Sequence, residues 1–518
     1  MLSADLGKAH APPMFGLWSA ISLGWLTLNV FGGMSFILFI GLTAGGMPAI
    51  LYGFIGSSAA VICIILTFAQ CASRFSTAGG AYHYACFLLP PEYRRQIAYP
   101  LGWLNYLGWI LTHAGCCAIV ATLTLALVNL CNPDTDISGR WKLFLVYLIV
   151  DVICWLFNLV GVKGIPALEL FGCYATALGF VAYTIALLVR APKADPSFVF
   201  VNVNNETGYT STSLVILLGL FNSFGTLMGL DGPAHLAEEL PQAKKSLPRI
   251  MLIVIGSQFV VGVIWIIVLG FSITDLDAIN NTTTGVPVLE VIRLGTGSDV
   301  AAIVFCLLLI INNATSALGS AVTMSRQGYA FARHGGLFWN SRLIKPSPRL
   351  ALPFWSTTLP YFFSNAAFNA IIGSQATCMI ISFGSPAAVL LFTRGDLLPN
   401  SNRWNLGICA TPIYLVSVGY SILVVIVSMI PQTHPLTAVS MNYTVLVMGF
   451  FMVAMTLAWI LEGRRLFLPP ANDESIAGKT CSQGHDHVLG SFVVRRTEEL
   501  LHKLDCIVPA HSVEELWR

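Results

Sequence analysis

The chain has 518 residues, of which 56% are hydrophobic and 10% charged, with a formal net charge of +2. Soluble globular proteins carry about 25% charged residues, so the composition excludes a soluble domain and describes an all-α integral membrane protein. So small a net charge points to no nucleic-acid partner, and thirteen cysteines scattered through apolar runs without a CxxC pair read as small buried hydrophobes.

The apolar run from Met14 to about Leu42 is longer than a signal-peptide core and is expected as a retained first span, 15–42, behind a short cytoplasmic tail, 1–14. In its middle, Asn29-Val-Phe-Gly-Gly-Met-Ser35 sets two glycines side by side, which permit either close helix packing or local unwinding. The second span is expected over 47–70 and the third over 101–129. Between them lies the polar, glycine-rich segment Ser76-Thr-Ala-Gly-Gly-Ala-Tyr-His-Tyr84. In the third span His113 reads as a core histidine or a proton relay, and Trp103 and Trp109 as an aromatic wall or as interfacial anchors. The fourth and fifth spans are expected over 143–161 and 166–189.

The sixth span, 213–236, is not a plain apolar run. Phe221 to Glu239 reads FNSFGTLMGLDGPAHLAEE, with Gly225, Gly229, Gly232 and Pro233 breaking it and Asp231 inside it. Within a bilayer, broken backbone and an ionisable group persist only where protein or a water-filled cavity satisfies them, so this stretch is expected to floor a substrate site. Glu238 and Glu239 are expected to pair with Lys244 and Lys245 as an inner gate, or to form a solvated cluster.

The seventh span is expected over 250–272 and the eighth over 300–325, where Asn312 and Asn313 read as bridges between helices. The ninth, 350–363, has about fourteen residues including Pro353 and Pro360, against the ~20 that cross a bilayer. Spans ten to twelve are expected over 366–393, 409–430 and 442–462, followed by a polar cytoplasmic tail, 466–518, in which His485 and His487 read as a solvated tract and not as metal ligands.

Charge sets the expected orientation. With the N-terminus in the cytoplasm, the loops bearing Arg74, Arg94, Arg95, Lys163, Lys244, Lys245, Arg249, Arg326, Arg333, Arg342, Lys345, Arg349, Arg394 and Arg403 all lie inside. The outer loops hold only Arg140, Lys142, Arg190, Lys193 and Arg293, together with glycosylation sequons at Asn205, Asn280 and Asn281. Both termini are then cytoplasmic.

Transporters built as inverted repeats bind substrate at the midplane, between two helices broken at matching positions of each half. Five spans separate the Phe31–Ser35 doublet from Phe224–Asp231, the spacing of a five-plus-five repeat. Repeat one is expected over 15–189, repeat two over 213–393 and two extra helices over 409–462, together forming a transmembrane domain over 15–465.

These residues carry a resemblance. Gly229-Leu-Asp-Gly-Pro-Ala-His-Leu-Ala-Glu-Glu239 with Leu247-Pro-Arg249 resembles the sixth-span signature of fungal amino acid, GABA and choline permeases of the amino acid-polyamine-organocation superfamily. The segments Ser76–Tyr84, Gly102–Trp109, Ser325–Gly336 and Ala367–Ala370 match the same family in order. The resemblance implies about twelve transmembrane helices in the five-plus-five inverted-repeat fold of the LeuT type, with helices 1 and 6 discontinuous, no cofactor and no enzymatic chemistry. It implies a secondary active importer of a small amine-bearing solute, an amino acid or GABA, working by alternating access and driven by protons, in the plasma membrane or alternatively the vacuolar membrane. Choline transport and a non-transporting nutrient sensor are the alternatives. Substrate would meet Gly32, Gly33, Met34 and Ser35 through freed amides, and Phe224, Gly225, Thr226 and Leu227 through freed carbonyls. Asp231 reads as a gate or proton-coupling residue or as a structural hydrogen-bond partner of the broken helix, and Glu238 and Glu239 as gate or proton-coupling residues. In many relatives a basic residue stands early in the fifth span; here Pro166-Ala-Leu-Glu-Leu170 offers Glu169, read as a proton carrier or as a helix-end charge facing water.

Overall fold

Hydrocarbon offers no hydrogen-bond partner to a peptide group, so each apolar run closes its own backbone bonds as a helix. The computed structural model describes residues 14–137, 139–337, 365–393, 395, 398, 404–437 and 441–470, all within one compact unit that ends at Pro470. The expected ninth span, residues 1–13 and 471–518 of the tails, and the basic residues Arg342, Lys345, Arg349, Arg394 and Arg403 lie outside the described residues, as do the side chains of Ala367 to Asn369.

In chain order the helices are α1 (Leu17–Leu28), α2 (Val30–Thr43), α3 (Gly46–Ala72), α4 (Ala81–Leu88), α5 (Pro91–Cys131), α6 (Arg140–Leu159), α7 (Ile165–Arg190), α8 (Pro196–Phe200) and α9 (Thr212–Gly225). There follow a 3₁₀ segment Gly232–Glu239, then α10 (Ala243–Ser272), α11 (Leu276–Asn280), α12 (Pro287–Thr296), α13 (Asp299–Arg333), α14 (Asn365–Phe392), α15 (Ala410–Met429) and α16 (Thr444–Ala458). Ten helical stretches among the described residues are long and apolar enough to cross a membrane, one of them formed by α1 and α2 together; α9 is a shorter apolar helix.

Three spans outrun their expected length for a legible reason, among them α10, which starts at Ala243 with Lys244, Lys245 and Arg249 in its first two turns. α5 begins at Pro91 and runs for 41 residues, which at ~1.5 Å per residue is about 60 Å, twice the hydrocarbon thickness. Its charged first turns, with Glu92, Arg94 and Arg95, are therefore helical outside the apolar window that defined the expected span. α13 likewise continues to Arg333.

α5 and α13 pack along each other at the centre of the bundle. α6 and α7 lie at its periphery and turn Leu145, Ile149, Ile153, Phe171, Leu178 and Ile185 outward, where lipid is the solvent. The two ends of the bundle are chemically distinct. At one, Arg326 and Arg333 meet Glu239 and Glu238, and Arg74 reaches the Trp404 carbonyl at 2.8 Å. At the other, Ala194 N–H donates to the Phe271 carbonyl at 2.8 Å, Thr283 donates to Asn129 at 3.2 Å, and Tyr209 donates to the Pro431 carbonyl at 3.1 Å.

Candidate functional site

The first span breaks at Asn29, three residues before the expected glycines. Asn29 stands in the left-handed region (φ 47°, ψ 49°), ends α1 and opens α2. Asparagine tolerates that conformation because its short amide bonds locally: its Oδ1 accepts from Gly32 N–H at 3.3 Å and its carbonyl from Gly33 N–H at 2.8 Å. A helix break leaves orphan carbonyls on one side and orphan amides on the other. Gln258 of α10 bridges the break, its Oε1 accepting from Val30 N–H at 3.3 Å and its Nε2 donating at 2.5 Å to the Trp25 carbonyl, which also accepts from Asn29 N–H at 3.1 Å. Gly32 and Gly33 are thus helical, and their smallness serves close packing: Gly32 leaves no room for a Cβ against Asn312 Oδ1.

The sixth span breaks after Gly225. Thr226 and Leu227 turn back on the Ser223 and Phe224 carbonyls, and the chain is irregular until the 3₁₀ segment begins at Gly232. Gly229 (φ +80°) passes so near the Thr27 carbonyl that a Cβ would stand 2.7 Å from its oxygen. The two broken spans therefore touch at their breaks.

Between them lies a cavity of about 70 Å³. α1 and α2 contribute Thr27, Leu28, Asn29, Gly33 and Ile37; α9 and the turn after it, Gly225, Thr226 and Met228. α5 supplies Thr112, Gly115, Cys116 and Ile119, α13 supplies Asn313 and Ser316, and α14 supplies Ile372 and Gln375. Asn313 Oδ1 accepts from Asn29 Nδ2 at 3.1 Å, and Gln375 Nε2 donates to Thr112 Oγ1 at 2.9 Å. No charged side chain and no aromatic ring lines it among the described residues. The positive end of α2 and the negative end of α9 both point toward this space.

Of the eight residues expected to meet substrate, Gly33, Gly225 and Thr226 line this cavity. Gly32 is one residue behind, packed on Asn312. Met34, Phe224 and Leu227 are buried, Phe224 against Tyr420, and Ser35 bonds to the Phe31 carbonyl at 2.7 Å and to Trp265 Nε1 at 2.9 Å. The amides expected to be free at Gly32 and Gly33 are capped by Asn29. The wall from α5 and Gln375 of α14 was not expected: nothing in a local apolar pattern tells which stripe of a buried helix faces a cavity.

On the basic end, Asp231 is fully buried. Its Oδ2 accepts from Asn105 Nδ2 at 2.9 Å and lies 3.0 Å from His235 Nε2, while His235 Nδ1 lies 2.7 Å from the Ala78 carbonyl. A carbonyl only accepts, so Nδ1 carries a hydrogen, and the Nε2–Asp231 contact then requires one further proton shared by the pair. Trp109 is buried edge-on against His235 at 5.9 Å, so it neither anchors at an interface nor lines the cavity.

Glu239 makes a two-pronged pair with Arg326 (2.8 and 3.4 Å) and Glu238 with Arg333 (2.9 and 3.4 Å). The expected pairing with Lys244 and Lys245 is corrected: α10 starts at Ala243 after a left-handed Gln242 and turns both lysines to the surface, leaving the carboxylates to the end of α13. Glu169 faces no water. It is fully buried beside Gly319 and Thr27, with no hydrogen-bond partner for either oxygen among the described residues. Among the sequons, Asn205 Nδ2 donates to the Tyr209 carbonyl at 2.7 Å and Asn281 Nδ2 to the Asp277 carbonyl at 2.9 Å. The side chain of Asn280 is outside the described residues.

Comparison with known proteins agrees with this architecture. Residues 15–451 match the amino acid permease family. The chain is 28% identical over 478 residues to the choline transporter of Saccharomyces cerevisiae, covering 90% of this chain and 84% of that one. It is 26% identical over 483 residues to the amino-acid permease BAT1 of Arabidopsis thaliana, covering 88% and 93%. The crystal structure of MhsT in complex with L-phenylalanine shares the fold, with a TM-score of 0.52 at 16% identity, over 79% of this chain and 97% of that one.

Proposed function

The chain belongs to the amino acid permease family, a multi-pass membrane transporter of amino acids or related amines and not an enzyme, and we propose that it imports a small zwitterionic amino acid, GABA included, by proton-coupled alternating access. One observation carries this reading: an uncharged, largely apolar cavity with a few amide and hydroxyl side chains on its wall lies between the N-terminal end of α2 and the C-terminal end of α9. A zwitterion sets its carboxylate toward the first and its ammonium toward the second, so both helix dipoles favour it. At about 70 Å³ the space equals roughly five water positions, which suits short side chains.

The relative named a choline transporter supports a second reading, choline. A quaternary ammonium is recognised by aromatic faces, and the cavity presents none among the described residues, which favours the zwitterion. Coupling by protons has two candidate carriers, the Asp231–His235 pair and Glu169. A buried carboxylate without a partner is stable only with a proton or a cation upon it. The closed Arg326–Glu239 and Arg333–Glu238 pairs act as the gate on the basic end, which the loop charges assign to the cytoplasm. The plasma membrane is the proposed site, with the vacuolar membrane as the alternative.

The test is uptake of labelled glycine, alanine, GABA and choline by cells expressing the chain, with and without a proton uncoupler. Small amino acids should enter in an uncoupler-sensitive way and resist excess choline. Gly115→Leu and Gly225→Leu should abolish uptake, because a side chain at either glycine has open cavity before it, the nearest atoms standing 3.9 and 3.7 Å from its Cβ. Choline uptake that amino acids fail to compete with would overturn the reading.

A further inference from the structure

We propose that His113, Cys117 and Asp151 form a buried zinc site that ties α6 to α5 behind the wall of the cavity. α6 buries three residues, Tyr147, Asp151 and Cys154, and gives the rest of its surface to lipid or partial exposure. A carboxylate in the middle of a spanning helix is costly and marks a site. Asp151 Oδ1 lies 2.9 Å from His113 Nε2, and Cys117 Sγ lies 3.6 Å from the same nitrogen. One ligand atom from each of the three falls within 4.8 Å of the others, and no second such convergence of three His, Cys, Asp or Glu donors occurs among the described residues.

The spacing is that of a site built on helices. His113 and Cys117 are one turn apart on α5, so both face α6. Cys154 stands three residues after Asp151, buried on the same face of α6. Thr112 and Cys116, the neighbouring stripe on α5, face the cavity instead, rotated by about 100°.

Four features favour a metal over a plain hydrogen-bonded pair. His113 Nδ1 lies 3.0 Å from the Ala317 carbonyl, so it holds the ring hydrogen and leaves the Nε2 lone pair aimed at Asp151 and Cys117; this is how outer-shell carbonyls orient histidine ligands. Imidazole, thiolate and carboxylate are all zinc ligands, and bonds of about 2.0–2.3 Å bring neighbouring donors to roughly 3.3–3.8 Å in a tetrahedron, which the 3.6 Å separation meets and the 2.9 Å one meets after a small opening. The charges balance: Zn²⁺ entry releases the Cys117 thiol proton and the proton shared by His113 and Asp151. One thiolate and one carboxylate then neutralise the ion within hydrocarbon. The Asp231–His235 pair repeats the carbonyl–His–Asp arrangement without a third donor, so it holds a proton and not a metal.

The full chain, purified in detergent, stripped with a chelator and dialysed against buffered zinc, should retain about one ion per chain by elemental analysis. Cobalt in place of zinc should give a thiolate-to-metal charge-transfer band. Cys117→Ser should weaken zinc binding by at least about 100-fold, more than loss of an outer-shell partner commonly does, and abolish the cobalt band. Asp151→Asn keeps the size of the side chain and a bond to His113, so it decides the matter if Cys117→Ser fails to fold. Cys116→Ser should retain the ion, since that thiol faces the cavity. Absence of zinc from the wild-type chain, or equal retention by Cys117→Ser or Asp151→Asn, overturns the site.

Discussion

Arg326 and Glu239 are 5% and 7% exposed, whereas Arg333 and Glu238 are 33% and 30% exposed. The same chemistry in two environments has different consequences. Arg326→Gln leaves a carboxylate buried without its counter-charge, which should lower stability by about 3–5 kcal/mol. Glu238→Gln breaks a half-solvated pair and should change stability by about 0–1 kcal/mol. Thermal unfolding of the detergent-solubilised protein distinguishes them, and equal effects would show that the inner pair is open to water. The acidic doublet was legible in the sequence. Its partners were not, because they lie 87 and 95 residues away on α13, while the lysines five and six residues after Glu239 are turned outward by the backbone at Gln242.

At the scale of elements, the broken first span depends on one residue able to sit at φ 47°. Asn29→Ala removes the cap on Gly32, worth about 1 kcal/mol, and places a Cβ without local bonds in the left-handed region, at about 1–2 kcal/mol more. Asn29→Gly loses the cap and the bond to Asn313 but relaxes the backbone. Uptake and thermal stability should therefore fall further in Asn29→Ala than in Asn29→Gly; the reverse order would mean that the side-chain bonds, and not the backbone conformation, hold the break. That a break existed in the first span could be inferred from the glycine doublet and its five-span distance from the second break. Its position could not, since the side chain that bridges it is Gln258, a polar residue within the apolar stretch of α10, 228 residues from Val30.

For the whole molecule, loop charge and sequons imply one orientation. The loops bearing Asn205 and Asn281 share an end of the bundle, because residues 194–200 pack on Phe271 just before the second sequon loop. The chain expressed in a glycosylating cell should lose mass on treatment with an N-glycosidase, and combined Asn205→Gln, Asn280→Gln and Asn281→Gln replacement should abolish that shift. Protection of the untreated chain from modification, with an engineered sequon beside Arg74 modified instead, would reverse the orientation.

Composition and hydropathy determined the class of the protein and most of its helical spans, because lipid forces every spanning segment to satisfy its backbone internally, and glycines and an ionisable residue inside two apolar runs marked the spans that break. Tertiary structure alone decided which atoms meet: that α5 walls the cavity, that Asn29 carries the break, that Glu169 is sealed from water, and that His113 faces Asp151. Those contacts join residues tens to hundreds of positions apart, and helical periodicity states only that a residue is on a buried face, never which partner lies opposite.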